Sequence, residues 1–305
     1  MRIAVLMATY NGERFLEEQI DSILNQQVDG KVDLIVCDDG STDNTEKILA
    51  RYAAQGKLSY TVHENTGAAG TFLGLLKATP GYDYYAFSDQ DDVWFPQKLK
   101  RGIDAVKNTA GIVLYCSNCE LVDQNLERIG RNTHRAAPTY SLVSVLCLAS
   151  CAQGCTSVFN LELAEIVKQY PLPDPVIMHD SMLTCLCALT DGKILYDHEP
   201  SMLYRMHQGN VFGMASAKQS IIGVLRDRFR EITTKRKIGM SDQTEGIQRV
   251  FNDRISDEKQ EVCRRVIRAK HSLGARIRLV TDPQLKHDTY NKTLTKKLTI
   301  LFGND

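Results

Sequence analysis

Between residues 2 and 88 two hydrophobic patterns alternate along the chain. Short unbroken apolar runs fall at Arg2–Ala8, Val32–Cys37, Leu58–His63 and Tyr84–Ser88. Runs of that length without a polar alternation predict strands buried on both faces. Between them the apolar residues recur at helical spacing. Phe15, Ile20, Ile23 and Leu24 predict a first helix, with Glu13, Glu17 and Glu18 in its opening turns, where the dipole favours anions. Further helices are predicted over 43–55 and 69–78. A strand–helix alternation of this kind predicts an α/β fold with a mostly parallel sheet flanked by helices. In such sheets, ligands bind beyond the carboxyl ends of the strands. Further on, the pattern predicts a helix over 97–108, strands at 112–117 and 157–160, a helix over 177–189, and late strands at 193–196 and 202–206. From about residue 218 it turns helical and basic, with Ile221, Ile222, Leu225, Phe229 and Ile232 as an apolar stripe. The expected division is therefore 1–217 as an α/β domain and 218–305 as a helical appendage.

The strand ends carry the chemistry. Thr9-Tyr10-Asn11 follows the first run and Asp38-Asp39-Gly40-Ser41 the second. The fourth run enters Ser88-Asp89-Gln90-Asp91-Asp92 and then Trp94, the sole tryptophan. Carboxylates packed this densely at the end of a buried strand are costly unless they hold something. Hard divalent cations take oxygen ligands of this kind. Three polar clusters expected at one sheet edge point to one site. Several residues keep a structural alternative: Asp39 as a turn or helix-cap acid, Tyr10 as packing, Glu13 as a first-turn charge, and Asp180 as a first-turn acid paired with His179. For Trp94, core packing competes with a sugar-facing wall.

Charge and cysteine refine the picture. The 305 residues carry no net charge, yet residues 1–217 hold 17 Lys+Arg against 26 Asp+Glu, and residues 218–305 hold 20 against 11. A basic appendage suits a bilayer surface, a dimer interface or a solvated bundle. Nucleic-acid binding by it is not expected, because no recognised motif accompanies the charge. Nine cysteines show no paired framework, and the N-terminus does not resemble a signal peptide, so reduced thiols and a cytoplasmic location are expected. Cys147, Cys151 and Cys155 are spaced to stack on a helix face as small apolar residues, and Cys116/Cys119 is a lone CxxC. The uncharged stretch 136–161 contains Pro138 and Gly154 and many polar residues, which argues against a membrane-spanning helix.

The segments MATYNGERFLEEQIDSILNQ (7–26), VCDDGSTDNT (36–45), ENTG (64–67), FSDQDDVWFPQKL (87–99), HD (179–180) and YRMHQGNVFG (204–213) resemble, in identity and order, the inverting family 2 glycosyltransferases of GT-A fold. The aspartate-rich FSDQDDVW form is most similar to rhamnosyltransferase-type members that build bacterial surface polysaccharides. The resemblance implies roles by position. The nucleoside of a dTDP- or UDP-sugar would lie against Ala8, Thr9, Tyr10, Glu13, Asp39 and Asn65, with Asp89 at the ribose and metal side. Asp91 would ligate Mg²⁺ or Mn²⁺, His207 would be a further metal or diphosphate contact, and Asp180 would be the catalytic base. Asp38 is expected to brace its loop, and Gln153-Gly154-Cys155 to underlie the acceptor. Thr71-Phe72 departs from the family's frequent Asn-Phe, so the resemblance does not carry a donor contact over to these two positions. The donor implied is dTDP-L-rhamnose first and a UDP-hexose second, and the acceptor a lipid-linked glycan at the inner face of the membrane. Two other classes also use acids at a parallel sheet edge: a sugar-phosphate nucleotidyltransferase, and a non-catalytic nucleotide-sugar-binding subunit. The first would need a Gly-rich basic triphosphate loop, where ATYNGER offers only Gly12 and Arg14.

Overall fold

The computed structural model describes residues 1–132, 140–148, 152–207, 239–287 and 289–303. Four strands, β1 (Arg2–Thr9), β2 (Lys31–Asp38), β3 (Ser59–Val62) and β4 (Tyr84–Ser88), pair in parallel in the order β3-β2-β1-β4. The helices between them are α1 (Leu16–Leu24), α2 (Thr45–Ala54) and α3 (Gly67–Ala78). Ile3, Ala4, Val5, Leu6 and Met7 are all fully buried, as an unbroken apolar run requires when helices cover both faces. Their alternate side chains feed two different cores: Ala4 and Leu6 pack with α3, Ile3, Val5 and Met7 with α1.

Register brings the strand ends level. Thr9 pairs with Asp38, Asp38 with Val62, and Met7 with Ser88. The loops after β1, β2 and β4 and the start of α3 therefore emerge at one edge, as the polar clusters predicted.

Beyond β4 the sheet is no longer parallel throughout. β8 (Val158–Asn160) runs antiparallel to β4 and to β6 (Val113–Val122), and β9 (Lys193–Arg205) returns parallel to β6. The two late strands expected from sequence are one strand, β9, bent by register shifts opposite Ser117–Glu120. The short β5 (Val93–Trp94) pairs with β9, and β7 (Arg128–Asn132) pairs with β6; neither stands out in the hydrophobic pattern, because two to five residues carry too little periodicity. Helices α4 (Lys98–Lys107), α5 (Leu142–Cys147), α6 (Leu161–Gln169) and α7 (His179–Leu189) complete this half.

The cysteine stack does not form. α5 ends at Cys147, Cys155 lies in a separate 3-10 turn at Gly154–Thr156, and Cys151 lies outside the described residues. Trp94 is buried in the core with Lys98 over its ring, so its packing alternative holds. The apolar stripe at 221–232 and the end of the YRMHQGNVFG segment lie outside the described residues. After them come α8 (Met240–Val250), α9 (Asp257–Ala269), α10 (Leu273–Val280) and α11 (Tyr290–Leu301). Met240, Ile247, Phe251, Cys263 and Val266 of this group join the same core as α3, α5 and α7. Among the described residues no helix is long and apolar enough to cross a membrane.

Candidate functional site

The loop after β1 is held by side chains rather than by regular structure. Gln90 clasps Tyr10 at both backbone atoms: Tyr10 N donates to Gln90 Oε1 at 2.9 Å, and Gln90 Nε2 donates to Tyr10 O at 3.0 Å. Gly12 makes room for this clasp, since a Cβ there would stand 2.2 Å from Gln90 Oε1. Asn11 takes the left-handed conformation, φ 49°, which Asn tolerates, and accepts from Thr42 N at 2.8 Å. Asp38 braces its turn as expected, accepting from Thr9 Oγ1 at 2.7 Å, Ser41 N at 2.8 Å and Ser41 Oγ at 2.6 Å.

Asp39 turns the other way. Its carboxylate accepts from Thr66 N at 2.7 Å and Gly67 N at 2.9 Å, the exposed amides at the start of α3. A carboxylate there suits the positive end of the helix dipole.

A cavity of about 350 Å³ opens at this edge. Ala8, Thr9, Tyr10, Asp39 and Asn65 line it, together with Asp89, Asp91, Gln153, Gly154, His179 and Asp180. A second cavity, about 650 Å³, shares Gln90 and Asp91 with it and is walled by Arg14, Phe15, Gln124 and His207. The smaller one gathers acids from the ends of β2 and β4 and from α7.

Asp91 lies 2.6 Å from His207 Nε2, across 116 residues of sequence. Asp89 sits where burial, then the neighbouring Asp91 and Asp180 carboxylates, push its pKa up to about 7. Asp180 is raised by burial to about 6, against two backbone donors that favour its ionised form: Gly154 N at 3.0 Å and Ser181 N at 2.6 Å. Its neighbour His179 is buried, stacks on Phe72 at 4.0 Å and meets Phe87 edge-on, and burial lowers its pKa to about 3. The imidazole is therefore neutral and does not form the ion pair with Asp180 that a first-turn His-Asp suggests.

Buried titratable groups cluster beside the cavity. Asp92 is fully buried, accepts from Arg205 N at 3.2 Å, and is held well above the usual carboxylate range by burial and by Asp91 and Asp89. Lys98 is buried too, and burial lowers its pKa to about 8. Potential ligand atoms of Asp89, Asp92 and Cys155 lie within 4.8 Å of one another.

Comparison with known proteins gives this arrangement a family. The profile described as "Glycosyl transferase family 2" matches residues 4–164. The chain belongs to glycosyl transferase family 2. It is 31% identical over 258 residues to the dTDP-rhamnosyl transferase RfbG of Shigella flexneri, covering 78% of this chain and 86% of that one. It is 32% identical over 193 residues, 63% of this chain and 71% of the relative, to WfgD of Escherichia coli, a UDP-Glc:alpha-D-GlcNAc-diphosphoundecaprenol beta-1,3-glucosyltransferase. Among solved structures it is similar to S. aureus TarS 1-349 in complex with UDP-GlcNAc (TM-score 0.54, 17% identity, 99% of this chain and 89% of that). It is also similar to the mannosyltransferase PcManGT of Pyrobaculum calidifontis in complex with GDP-Man and Mn2+ (TM-score 0.52, 18% identity, 99% and 86%). The fold is thus GT-A and the protein a glycosyltransferase.

In this family 2 glycosyltransferase the expected residues do not all converge. Ala8, Thr9, Tyr10, Asp39, Asn65, Asp89, Asp91 and Asp180 line one cavity, and His207 joins it through Asp91. Glu13 does not line it: its carboxylate accepts from Asn44 N at 2.9 Å and Asn44 Nδ2 at 2.7 Å, tying the β1 loop to the start of α2. Sequence reasoning gave no role to Gln90, Arg205 or the Gly154–His179 contact. Arg205 is buried; its Nε donates to Asp91 O at 2.7 Å and its Nη1 to Gln124 O at 2.7 Å, its guanidinium also pairs with Glu18, and it lies over the Phe15 ring. An arginine beside a histidine in the YRMH segment was the available signal; what it grips was not.

Proposed function

We propose that this glycosyltransferase moves L-rhamnose from dTDP-L-rhamnose, with inversion and with Mg²⁺ or Mn²⁺ bound, to a hydroxyl of a growing surface glycan. The observation that carries this reading is the convergence of Asp39, Asp89, Asp91 and Asp180, drawn from two strand ends (β2 and β4) and a helix, on one cavity. The similarity to a dTDP-rhamnosyl transferase favours rhamnose. A UDP-hexose is the second reading, favoured by the similarity to a UDP-Glc glucosyltransferase. That relative acts on a diphosphoundecaprenol-linked sugar, which supports a lipid-linked acceptor here and a working position at the inner face of the membrane. On this reading residues 1–217 are the catalytic domain and 218–305 an appended region.

Each residue has a task in that reaction. The backbone and side chains at Ala8, Thr9 and Tyr10, with Asn65 and Asp39, form a slot for the nucleoside; Asp39 has lone pairs beyond its two backbone donors and accepts from the pyrimidine N3–H. Asp89 lies toward the ribose. Asp91 and His207 would hold the cation: an oxygen donor and an imidazole beside a surplus of buried carboxylate suit a divalent metal, and the raised pKa of Asp89 reports that surplus. When bound, the cation supplies Lewis-acid stabilisation of the charge gathering on the diphosphate. Asp180 takes the proton of the acceptor hydroxyl as that oxygen attacks the anomeric carbon from the face opposite the diphosphate. Its two backbone donors hold the carboxylate in place, and the buried His179 keeps water from its rear. Inversion needs no protein nucleophile.

The test is donor hydrolysis followed as released nucleoside diphosphate, with dTDP-rhamnose, UDP-glucose, UDP-galactose and UDP-N-acetylglucosamine offered separately with Mn²⁺ or Mg²⁺. Metal-dependent release from dTDP-rhamnose, reduced by about two to three orders of magnitude in Asp91→Ala, is expected. Release from a UDP-sugar alone would move the assignment to the second reading. Failure of folded protein to bind any of the donors would overturn both.

A further inference from the structure

Large apolar side chains that stand exposed are concentrated at one end of the described chain. Leu273, Ile277, Leu294 and Phe302 are 61%, 47%, 42% and 64% exposed. They belong to two packed helices. Leu273 and Ile277 are one turn apart on α10, while Leu279, on the opposite side of that helix, is buried in the core. Leu294 and Phe302 share a side of α11 and its continuation, while Ile300, on the opposite side, is buried. The two helices meet where the Arg276 guanidinium abuts Gly303: a Cβ on Gly303 would stand 2.7 Å from it. Each helix thus already has its core contact on one side and a second apolar row on the other.

Charge says what that second row meets. Residues 270–305 contain seven Lys+Arg and three Asp. One of those acids, Asp282, is already engaged by Arg265 of α9, and one of the cations, Lys270, by Asp242 and Glu245 of α8. Arg278 stands exposed next to Ile277. Two copies of such a face would bring like charges together, and a nucleic-acid backbone would leave the Leu, Ile and Phe side chains without partners. An anionic bilayer answers both features: headgroups take the cations, and the interface takes the apolar tips.

We propose that the exposed face of α10 and α11 docks the protein on an anionic phospholipid bilayer through Leu273, Ile277, Leu294 and Phe302, with Arg278 on the headgroups. This deepens the functional reading above by naming the surface that meets the membrane carrying the acceptor; the surface argument itself uses no substrate.

Vesicle sedimentation of the full chain, without donor or acceptor, tests it. The unsubstituted protein is expected to sediment with vesicles of three parts phosphatidylcholine to one part phosphatidylglycerol and not with phosphatidylcholine alone. Leu273→Ser/Ile277→Ser/Phe302→Ser should lower the partition coefficient by at least about tenfold. Arg278→Glu should lower it by about tenfold and flatten its salt dependence. Leu24→Ser, an exposed leucine elsewhere, should leave it unchanged. All these side chains are exposed, and unchanged thermal unfolding verifies that the variants remain folded. No sedimentation of the unsubstituted protein with phosphatidylglycerol vesicles, or equal sedimentation of the triple Ser variant, would overturn the proposal. So would a dimer in light scattering that the triple variant dissociates. None of these outcomes bears on donor hydrolysis, so the two readings fail separately.

Discussion

At Asp180 the fold holds a carboxyl whose burial raises its pKa to about 6 while two backbone N–H groups keep the ionised form aimed into the cavity. A general base works only as the carboxylate. The transfer rate should therefore be flat above about pH 6 and fall roughly tenfold per pH unit below it, because protonation removes the base. Asp180→Asn should lower kcat by about 10²–10⁴ with little change in donor affinity, and its residual rate should lack the acid limb. A variant that kept the limb would assign it to another group. Asp39, Asp89, Asp91 and Asp180 were legible because carboxylates after buried strands and in a family-ordered His-Asp pair are conspicuous. Glu13 was misplaced relative to the cavity because a side chain's direction on a loop depends on partners, here Asn44, that lie 31 residues away.

Among the elements, the 3-10 turn at Gly154–Thr156 and the first turn of α7 form one unit. Gly154 donates to Asp180 and lies against the His179 ring, so close that a Cβ on it would stand 2.4 Å from Nε2. Gly154→Ala should cost roughly 1–3 kcal/mol by overpacking and slow turnover by displacing the amide that holds Asp180. Adding His179→Ala opens the space, so in urea denaturation the double variant should lose clearly less stability than the two single losses combined. Strict additivity would mean the ring and the turn do not bear on each other. No spacing in the sequence announced this contact, since it depends on how α7 packs against β4 and α3. The mixed half of the sheet was hidden for a related reason: β5 and β7 are strands by virtue of a neighbour's hydrogen bonds, not by their own pattern.

For the molecule as a whole, Arg205 is the point where distant segments are tied together. It reaches Glu18 at α1, the Asp91 carbonyl after β4, and the Gln124 carbonyl between β6 and β7. Glu18 is solvated, so the ion pair itself contributes little. The two carbonyls depend on the guanidinium, and leaving them unmatched in Arg205→Met should cost roughly 2–4 kcal/mol in chemical denaturation. The same variant should weaken Mn²⁺ binding measured by electron paramagnetic resonance, because Asp91 loses the hold on its backbone. Full stability with unchanged Mn²⁺ affinity would show the node to be dispensable.

By itself the sequence determined the α/β class, the succession of the first four strands along the chain, the edge at which the acids gather, and the family. These follow from local physics: unbroken apolar runs must be buried on both sides, helical spacing must cover them, and the residues just past a strand's end must project from the sheet edge. Only the tertiary structure decided which acids share a cavity, that Asp91 meets His207, that His179 is a dry aromatic neighbour rather than a charged partner, and that Gln90 and Arg205 hold the site in place. Those outcomes depend on register, burial and contacts between residues dozens to more than a hundred positions apart, and no local pattern encodes them.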